Sequence, residues 1–389
     1  MTGAPPRPIL ARLRALLGCS GSASLRVAAL YAGGFLGPFG GGVTASMLPE
    51  LGADLGISAS AASASLTAYL LPFALLMLVS GTLGERWGAR RTVRTAYVAY
   101  VLFSLLAAVA TVGWVFLGAR ALQGAANAFT TPLLLSSLAA ATPPERLGRA
   151  LGVMGSLQAA GMTFAPLVGG LAAALDWRAA FVGVALVAAA LAAVGLPAAP
   201  PAPAGEPADR PRLRDAWRPP VLRLGLVAGL AWAALGGLAF LVALRVEDAF
   251  TLGAGLRGAL LTGFGVAGLL TARLVGAGVD RVGPRVTIRL GAVLGAVLVA
   301  AVGLLPSAIA VAAVWALAGA AAQLVLVGVN TLVLRGGTAG GVSVVQAGRF
   351  LGAAASPALF LGAYHLSPVA GFGLAGVVLL AAAGLAPRR

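Results

Sequence analysis

Two arginines stand where a membrane-crossing segment should hold none. Arg120 falls about six residues into a long apolar stretch, roughly 9 Å of helical rise from its end, with Gln123, Asn127, Thr130 and Thr131 following at helical spacings. Arg349 lies about eight residues into another such stretch, with Gln346 one turn before it. A guanidinium at that depth costs at least about 2–3 kcal/mol unless it meets water, a partner or a ligand. No acidic residue falls inside an apolar stretch, so neither arginine has a counter-ion there, and an unpaired buried cation is expensive. A water-filled cavity or an anionic substrate group would relieve both. The bland alternative for Arg120 is snorkelling towards the nearer interface, but the polar stripe beside it favours a cavity. Gln158 and Trp232 complete the candidate substrate-cavity set, although an aromatic at position 232 suits a lipid-facing surface equally well. Arg273 lies nearer the end of its stretch, where snorkelling or a structural pairing accounts for it.

The acids Glu50, Asp54, Asp176, Glu247 and Asp248 lie at or beyond the ends of the apolar stretches. Glu50 and Asp54 are the proton-handling candidates. His365, the single histidine, sits beside Tyr364 and is a third such candidate, though a lone histidine at an interface is more often structural. All 27 basic residues are arginine, which removes the lysine of a nucleotide-hydrolysing phosphate loop. One cysteine, Cys19, and one histidine exclude an internal disulfide and a conventional Cys/His zinc site. No cofactor is expected. The apolar stretches hold no acid pair, His–nucleophile pair or metal cluster, so the chain does not read as an enzyme.

The elements that must position these residues follow from composition. The 389 residues are 60% hydrophobic and 10% charged, with a mean hydropathy of +0.97. A soluble domain needs about a quarter charged residues to cover its surface. Predominantly apolar, acid-free stretches near 27–49, 62–82, 92–111, 114–139, 149–174, 178–197, 220–243, 258–277, 286–306, 308–334, 341–365 and 367–386 each have the length of a bilayer-spanning helix. The fold class is therefore an all-α polytopic membrane protein with twelve transmembrane helices in two six-helix bundles. The expected organisation is an N-terminal segment (1–26), a first bundle (27–197), a Pro-rich charged linker (198–219), a second bundle (220–386) and a tail (387–389). The Gly37–Pro38 step, followed by Gly40, Gly41 and Gly42, predicts an interruption in the first helix.

Arginine placement orients the chain. With an even span count both termini share a side. If that side is the cytoplasm, outer loops hold Arg178, Arg245 and Arg257, the spans hold Arg120, Arg273 and Arg349, and the other 21 of the 27 arginines are cytoplasmic. The positive-inside rule then sets both termini in the cytoplasm, for a multi-pass protein of the inner cell membrane. The net charge of +16 anchors topology and meets anionic lipid, so nucleic acid is excluded as a partner.

The sequence also repeats itself. Gly81, Glu85, Arg86, Gly88 and Arg90 match Gly276, Asp280, Arg281, Gly283 and Arg285 at an offset of 195. Gly41, Gly42 and Gly124 meet Gly236, Gly237 and Gly319 at the same offset, and Gly161 and Pro166 meet Gly352 and Pro357 at 191. The loop from Gly81 to Arg91 resembles the signature G-x-L-(A/G)-D-R-x-G-(R/K)-(R/K) of the major facilitator superfamily, with Glu85 in the acidic position and Ala89 in the first basic slot. Arg120-Ala-Leu-Gln123-Gly124 resembles the family's R-x-x-Q-G pattern. Gly152, Gly161, Ala165, Pro166, Gly169 and Gly170 are similar to its antiporter motif G-x8-G-x3-G-P-x2-G-G, with alanine for one glycine. Asp176-Trp177-Arg178-Ala-Ala-Phe181 looks like a further family element.

The resemblance covers essentially the whole chain and implies a drug/proton antiporter-like exporter working by alternating access. It implies a conformational latch at Gly81, Glu85, Arg86, Gly88, Arg90, Asp280 and Arg281, against the bland reading that these arginines only mark the cytoplasmic face. The partners would be a small-molecule substrate, protons and the lipid bilayer, with the protein acting as a monomer. An importer or facilitator of an anionic or neutral metabolite is the alternative within the fold, and a non-transporting receptor or membrane enzyme the remote one.

Overall fold

In the computed structural model, residues 21–197, 218–335 and 339–387 are described, and nearly all of the expected linker lies outside them. Every regular element among the described residues is helical. This is what an apolar chain in lipid requires, because a helix satisfies its backbone groups within one segment. Helix is present at each of the twelve expected positions, and among the described residues eight helices are long and apolar enough to cross a bilayer. Large apolar side chains such as Leu175, Leu270 and Ile309 are exposed, as a lipid-facing surface demands.

In chain order the elements are α1 (Gly21–Gly42), α2 (Leu48–Leu55), α3 (Ala59–Ala62), α4 (Ala64–Trp87), α5 (Ala89–Val109), α6 (Gly113–Asn127), α7 (Thr131–Ala141), α8 (Pro144–Ala173) and α9 (Arg178–Val194) in the first half. The second half holds α10 (Pro219–Ala234), α11 (Ala239–Phe250), α12 (Ala254–Val282), α13 (Pro284–Val302), α14 (Ala308–Arg335), α15 (Ala339–Leu366) and α16 (Pro368–Leu385).

Several boundaries differ from the sequence expectation, and three of the differences bear on the site. The first helix runs through Pro38 and gives way only at a 3-10 turn over Val43–Ser46. A single proline removes one internal hydrogen bond, and the flanking turns hold the helix together. The expected continuous segment 114–139 breaks between α6 and α7. There Pro132 lacks an N–H and disfavours helical geometry at Thr131, while Thr130 closes the break by donating from its hydroxyl to Asn127 O at 2.8 Å. The expected outer loop before position 258 is already helical, because α12 starts at Ala254. That shift moves Arg257 from a loop into a first helical turn, where its side chain is 1% exposed.

The duplication is visible in the packing. Gly124 on α6 packs against the carbonyl of Tyr69 on α4, and Gly319 on α14 packs against the carbonyl of Phe264 on α12. Both partners repeat at an offset of 195. A side chain at either glycine would collide with backbone, so the close approach of these helices depends on glycine. The halves meet along two seams, α4 with α15 and α8 with α12, which the repeat exchanges with one another.

Candidate functional site: a central cavity sealed on one face

Between the halves lies a cavity of about 470 Å³, within the range that holds a small organic ligand. Tyr69, Phe73, Trp232, Phe264, Trp315 and Phe350 give it aromatic walls, and Gln158, Gln323, Asn330 and Gln346 supply amides. Among the described residues lining it, Arg349 alone is charged. Of the sequence candidates, the cavity brings together Gln158, Trp232, Gln346 and Arg349.

Arg349 sits with its guanidinium carbon 4.7 Å from the Trp232 ring centre and 4.8 Å from that of Phe350. Its Nε has no hydrogen-bond partner among the described residues, and neither have Gln346 Oε1 or Trp232 Nε1. Three polar groups around one corner of the cavity are thus unsatisfied. Phe350 in turn packs edge-on against Phe73 of the other half, with ring centres 5.0 Å apart.

Arg120 is placed differently. It is fully buried, outside the cavity lining, among the helices of the first half. One terminal nitrogen donates to Gln123 Oε1 at 2.8 Å and the other to Gly40 O at 2.9 Å; only Nε lacks a partner among the described residues. The guanidinium carbon lies 4.3 Å from the Tyr69 ring centre. Gln123 donates onward to Ser104 Oγ at 2.8 Å, and Asn127 donates to Tyr69 Oη at 2.9 Å and Gly37 O at 3.2 Å. Arg120, Gln123 and Asn127 therefore form a polar knot behind the wall, reaching the cavity only through Tyr69 and Gly37.

At the face opposite the one where α1 begins and α16 ends, the halves are closed together. Arg257 of the second half ion-pairs with Glu50 of the first half and with Glu247 of its own half. Its remaining donors reach Ser46 O at 3.2 Å and Leu252 O at 2.6 Å, so the whole guanidinium is used. Charge-assisted bonds of this kind are stronger than neutral ones, and here the guanidinium is buried while both carboxylates stay partly exposed. Below them Gly170 packs against the carbonyl of Ala254, and Gly258 against that of Pro166. In the other seam Thr67 donates to Ala354 O at 2.5 Å. Arg257 escaped the sequence reading because its assignment to a loop hid its burial. The signal available was an arginine ten residues after Glu247, opposite Glu50 in the equivalent outer segment.

The remaining candidates divide. Asp54 accepts from Trp177 Nε1 at 3.1 Å and ion-pairs with Arg178, tying α2 to the start of α9 within the first half. His365 is exposed beside Tyr364. Within the antiporter-type motif on α8, Gly161 and Gly169 face carbonyls of the first transmembrane segment, whereas Gly170 faces the opposite half. Ala165 is buried, Pro166 O accepts from Ser46 Oγ at 2.7 Å, and the side-chain environment of Gly152 lies outside the described residues. In the latch loops Gly88 (φ +89°) and Gly283 (φ +85°) each open the following helix in a conformation that favours glycine. Gly81 faces Pro132, and Arg86, Arg90 and Arg281 are exposed. The side chains of Glu85 and Asp280 lie outside the described residues.

Comparison with known proteins agrees with this architecture. The family model described as Major Facilitator Superfamily matches residues 30–357. The chain is 34% identical to a multidrug resistance protein B homolog of Mycobacterium tuberculosis, over 39% of this chain and 28% of that one. It is 34% identical to the puromycin resistance protein of Streptomyces alboniger, over 34% of this chain and 26% of that one. The aligned part of the chain thus spans about a quarter of these relatives. In solved structures, a bacterial homolog of the lysosomal transporter Spinster, inward-facing and occupied, superposes with a TM-score of 0.73 at 16% identity, covering 95% of each chain.

Proposed function

The chain belongs to the Major Facilitator Superfamily, and from that premise we propose that it is a secondary active transporter, a proton-coupled exporter of small molecules across the cytoplasmic membrane. The observation that carries this reading is the cavity between two duplicated halves, sealed on one face by contacts that join those halves. The Arg257–Glu50 pair, the Gly170–Ala254 approach and the Thr67–Ala354 bond all cross between halves. A relative rotation of the halves breaks them together and exposes the cavity on that face. The arginine distribution supports a sealed face on the outside and termini in the cytoplasm. Export is supported by relatives named for drug resistance. The protein acts as a monomer, each chain supplying both halves of its cavity.

Proton coupling draws on the far-face cluster, since no acid lines the cavity among the described residues. Glu50 is the first-half member of that cluster. A proton on its carboxylate removes the charge that holds Arg257 across the seam, so the closed state weakens when Glu50 is protonated. The test is flux of fluorescent aromatic compounds in proteoliposomes, with and without an imposed pH gradient. The gradient is expected to drive accumulation against concentration in the wild type, and Glu50→Gln to abolish the accumulation while leaving downhill flux. Gradient-independent flux in the wild type sinks the coupling. An importer or facilitator of an anionic metabolite is the second reading, favoured by the unpaired Arg349. Accumulation on the opposite side would select it.

A further inference from the structure

We propose that the cavity selects planar aromatic anions, seating the anionic group against the guanidinium edge of Arg349. The inference rests on the reading of this cavity as the transport site and names its substrate class.

The argument begins with what Arg349 lacks. Two aromatic rings, at 4.7 and 4.8 Å, hold the guanidinium without neutralising it. Its Nε has no partner, and no carboxylate pairs with it among the described residues. A guanidinium lying against rings still offers its N–H groups in its own plane, in the fork geometry that matches the oxygens of a carboxylate, sulfonate or phosphate. A compact ammonium would have neither the plane nor the fork.

The surroundings extend the match. Trp232 Nε1 is a second unused donor in the same corner, and Gln346 Oε1 an unused acceptor. Two donors beside one acceptor suit an oxyanion that carries a neighbouring hydroxyl. Across the cavity, Phe264 and Trp315 are stacked with ring centres 4.6 Å apart, and Tyr69 and Phe73 add further ring surface. Walls of this kind take a flat ring system, while Gln158, Gln323 and Asn330 remain for polar substituents.

Charge decides against the other classes. With one cation and no acid among the described lining residues, the cavity carries a positive charge that a cationic ligand meets without compensation. A neutral ligand leaves Arg349 as costly as it is in the empty cavity. An anion removes that cost on arrival. The pseudo-equivalent of Arg349 at the offset of 191 is Gln158, a neutral amide also lining the cavity, so the charge is confined to one side of the site.

The experiment uses three probes with one ring system: 9-anthracenecarboxylate, 9-anthracenemethanol and 9-anthracenemethylammonium. Binding to the full-length protein in detergent is read by energy transfer from tryptophan to anthracene. The wild type is expected to bind the carboxylate at least about tenfold more tightly than the alcohol, and the ammonium more weakly than either. Arg349→Gln should bring carboxylate and alcohol within about twofold of each other while keeping alcohol affinity, which also reports an intact cavity. Gln346→Glu, which places an internal counter-ion one turn from Arg349, should erase the preference in the same way with the arginine still present. A wild type that binds the carboxylate no better than the alcohol, or a preference that survives Arg349→Gln, overturns the proposal. Because binding is measured without a gradient, failure here leaves gradient-driven flux standing, and gradient-independent flux leaves the charge preference standing.

Discussion

Position 120 in the first half and position 315 in the second are related by the 195-residue repeat, and each places a side chain against the repeated aromatic of a neighbouring helix. In the first half Arg120 lies over Tyr69 at 4.3 Å; in the second Trp315 stacks on Phe264 at 4.6 Å. The surroundings differ to match. Gln123, Asn127 and Ser104 around the arginine correspond to Ala318, Ala322 and Val299 around the tryptophan. One half has built its centre from hydrogen bonds, the other from apolar contact, on the same backbone arrangement. The half with the apolar centre also carries the free arginine of the cavity, Arg349. On the reading proposed above, a buried cation has two distinct uses here: enclosed by acceptors it ties helices together, and lining a cavity it serves to bind. Which use applies depends on what surrounds the guanidinium, not on its depth.

The most severe way to break this contrast is Arg120→Leu. It leaves Gly40 O without its charged donor, leaves Gln123 with one partner fewer, and takes the cation from Tyr69, all at a fully buried position. Each buried acceptor left unsatisfied in this way costs about 1–3 kcal/mol. Chemical unfolding of the purified protein should show that loss, with ligand binding by the surviving folded fraction little changed. A variant that unfolds normally but no longer binds would place Arg120 in the site and erase the distinction.

These two roles were only partly legible in the sequence. The helical class, the repeat and the arginine bias follow from hydropathy, period and charge, which are properties of single segments. The polar stripe Arg120–Gln123–Asn127 was equally plain, but not the direction it faces. Every side of a central membrane helix is covered, so periodicity does not separate a side lining a cavity from one packed on neighbours. The groups that satisfy Arg120 are Gly40 O and a glutamine one turn away, and a backbone acceptor leaves no trace in residue type. Arg257 was lost for a related reason. Its burial depends on a helix beginning four residues earlier than hydropathy indicates, and on a carboxylate 207 residues away in the chain. The absence of an acid marks Arg120 and Arg349 alike in the sequence; only the structure separates them, because Arg120 finds neutral acceptors while Arg349 lines the cavity.

Where the halves agree, the same change should cost the same. Gly124 and Gly319 each face a backbone carbonyl that cannot move aside cheaply, that of Tyr69 in one half and Phe264 in the other. Gly124→Ala and Gly319→Ala should each destabilise by about 1–3 kcal/mol, the usual range for forcing an extra methyl into a close-packed contact. Matched losses in unfolding experiments would show that the duplicated backbone, rather than the residues decorating it, carries this packing. A large difference between the two would mean that the polar and aromatic centres stiffen their halves unequally.

The smallest expected effect is on the stability of Arg349→Gln. Two contributions oppose each other. The cation loses its contacts with Trp232 and Phe350, worth about 0.5–2 kcal/mol. Against that, the uncompensated charge disappears from a site where the described residues offer no counter-ion, which removes a desolvation cost of similar or larger size. The glutamine should therefore fold within about 1 kcal/mol of the wild type, on either side of zero, several-fold less than the loss at Arg120. Comparing the unliganded proteins by chemical unfolding isolates this term, because any bound anion would stabilise only the wild type. A loss as large as that of Arg120→Leu would show that Arg349 also ties the structure together, and the contrast between a structural and a binding arginine would fall. Near-neutral stability with altered ligand preference would locate the function of Arg349 in what it leaves unpaired.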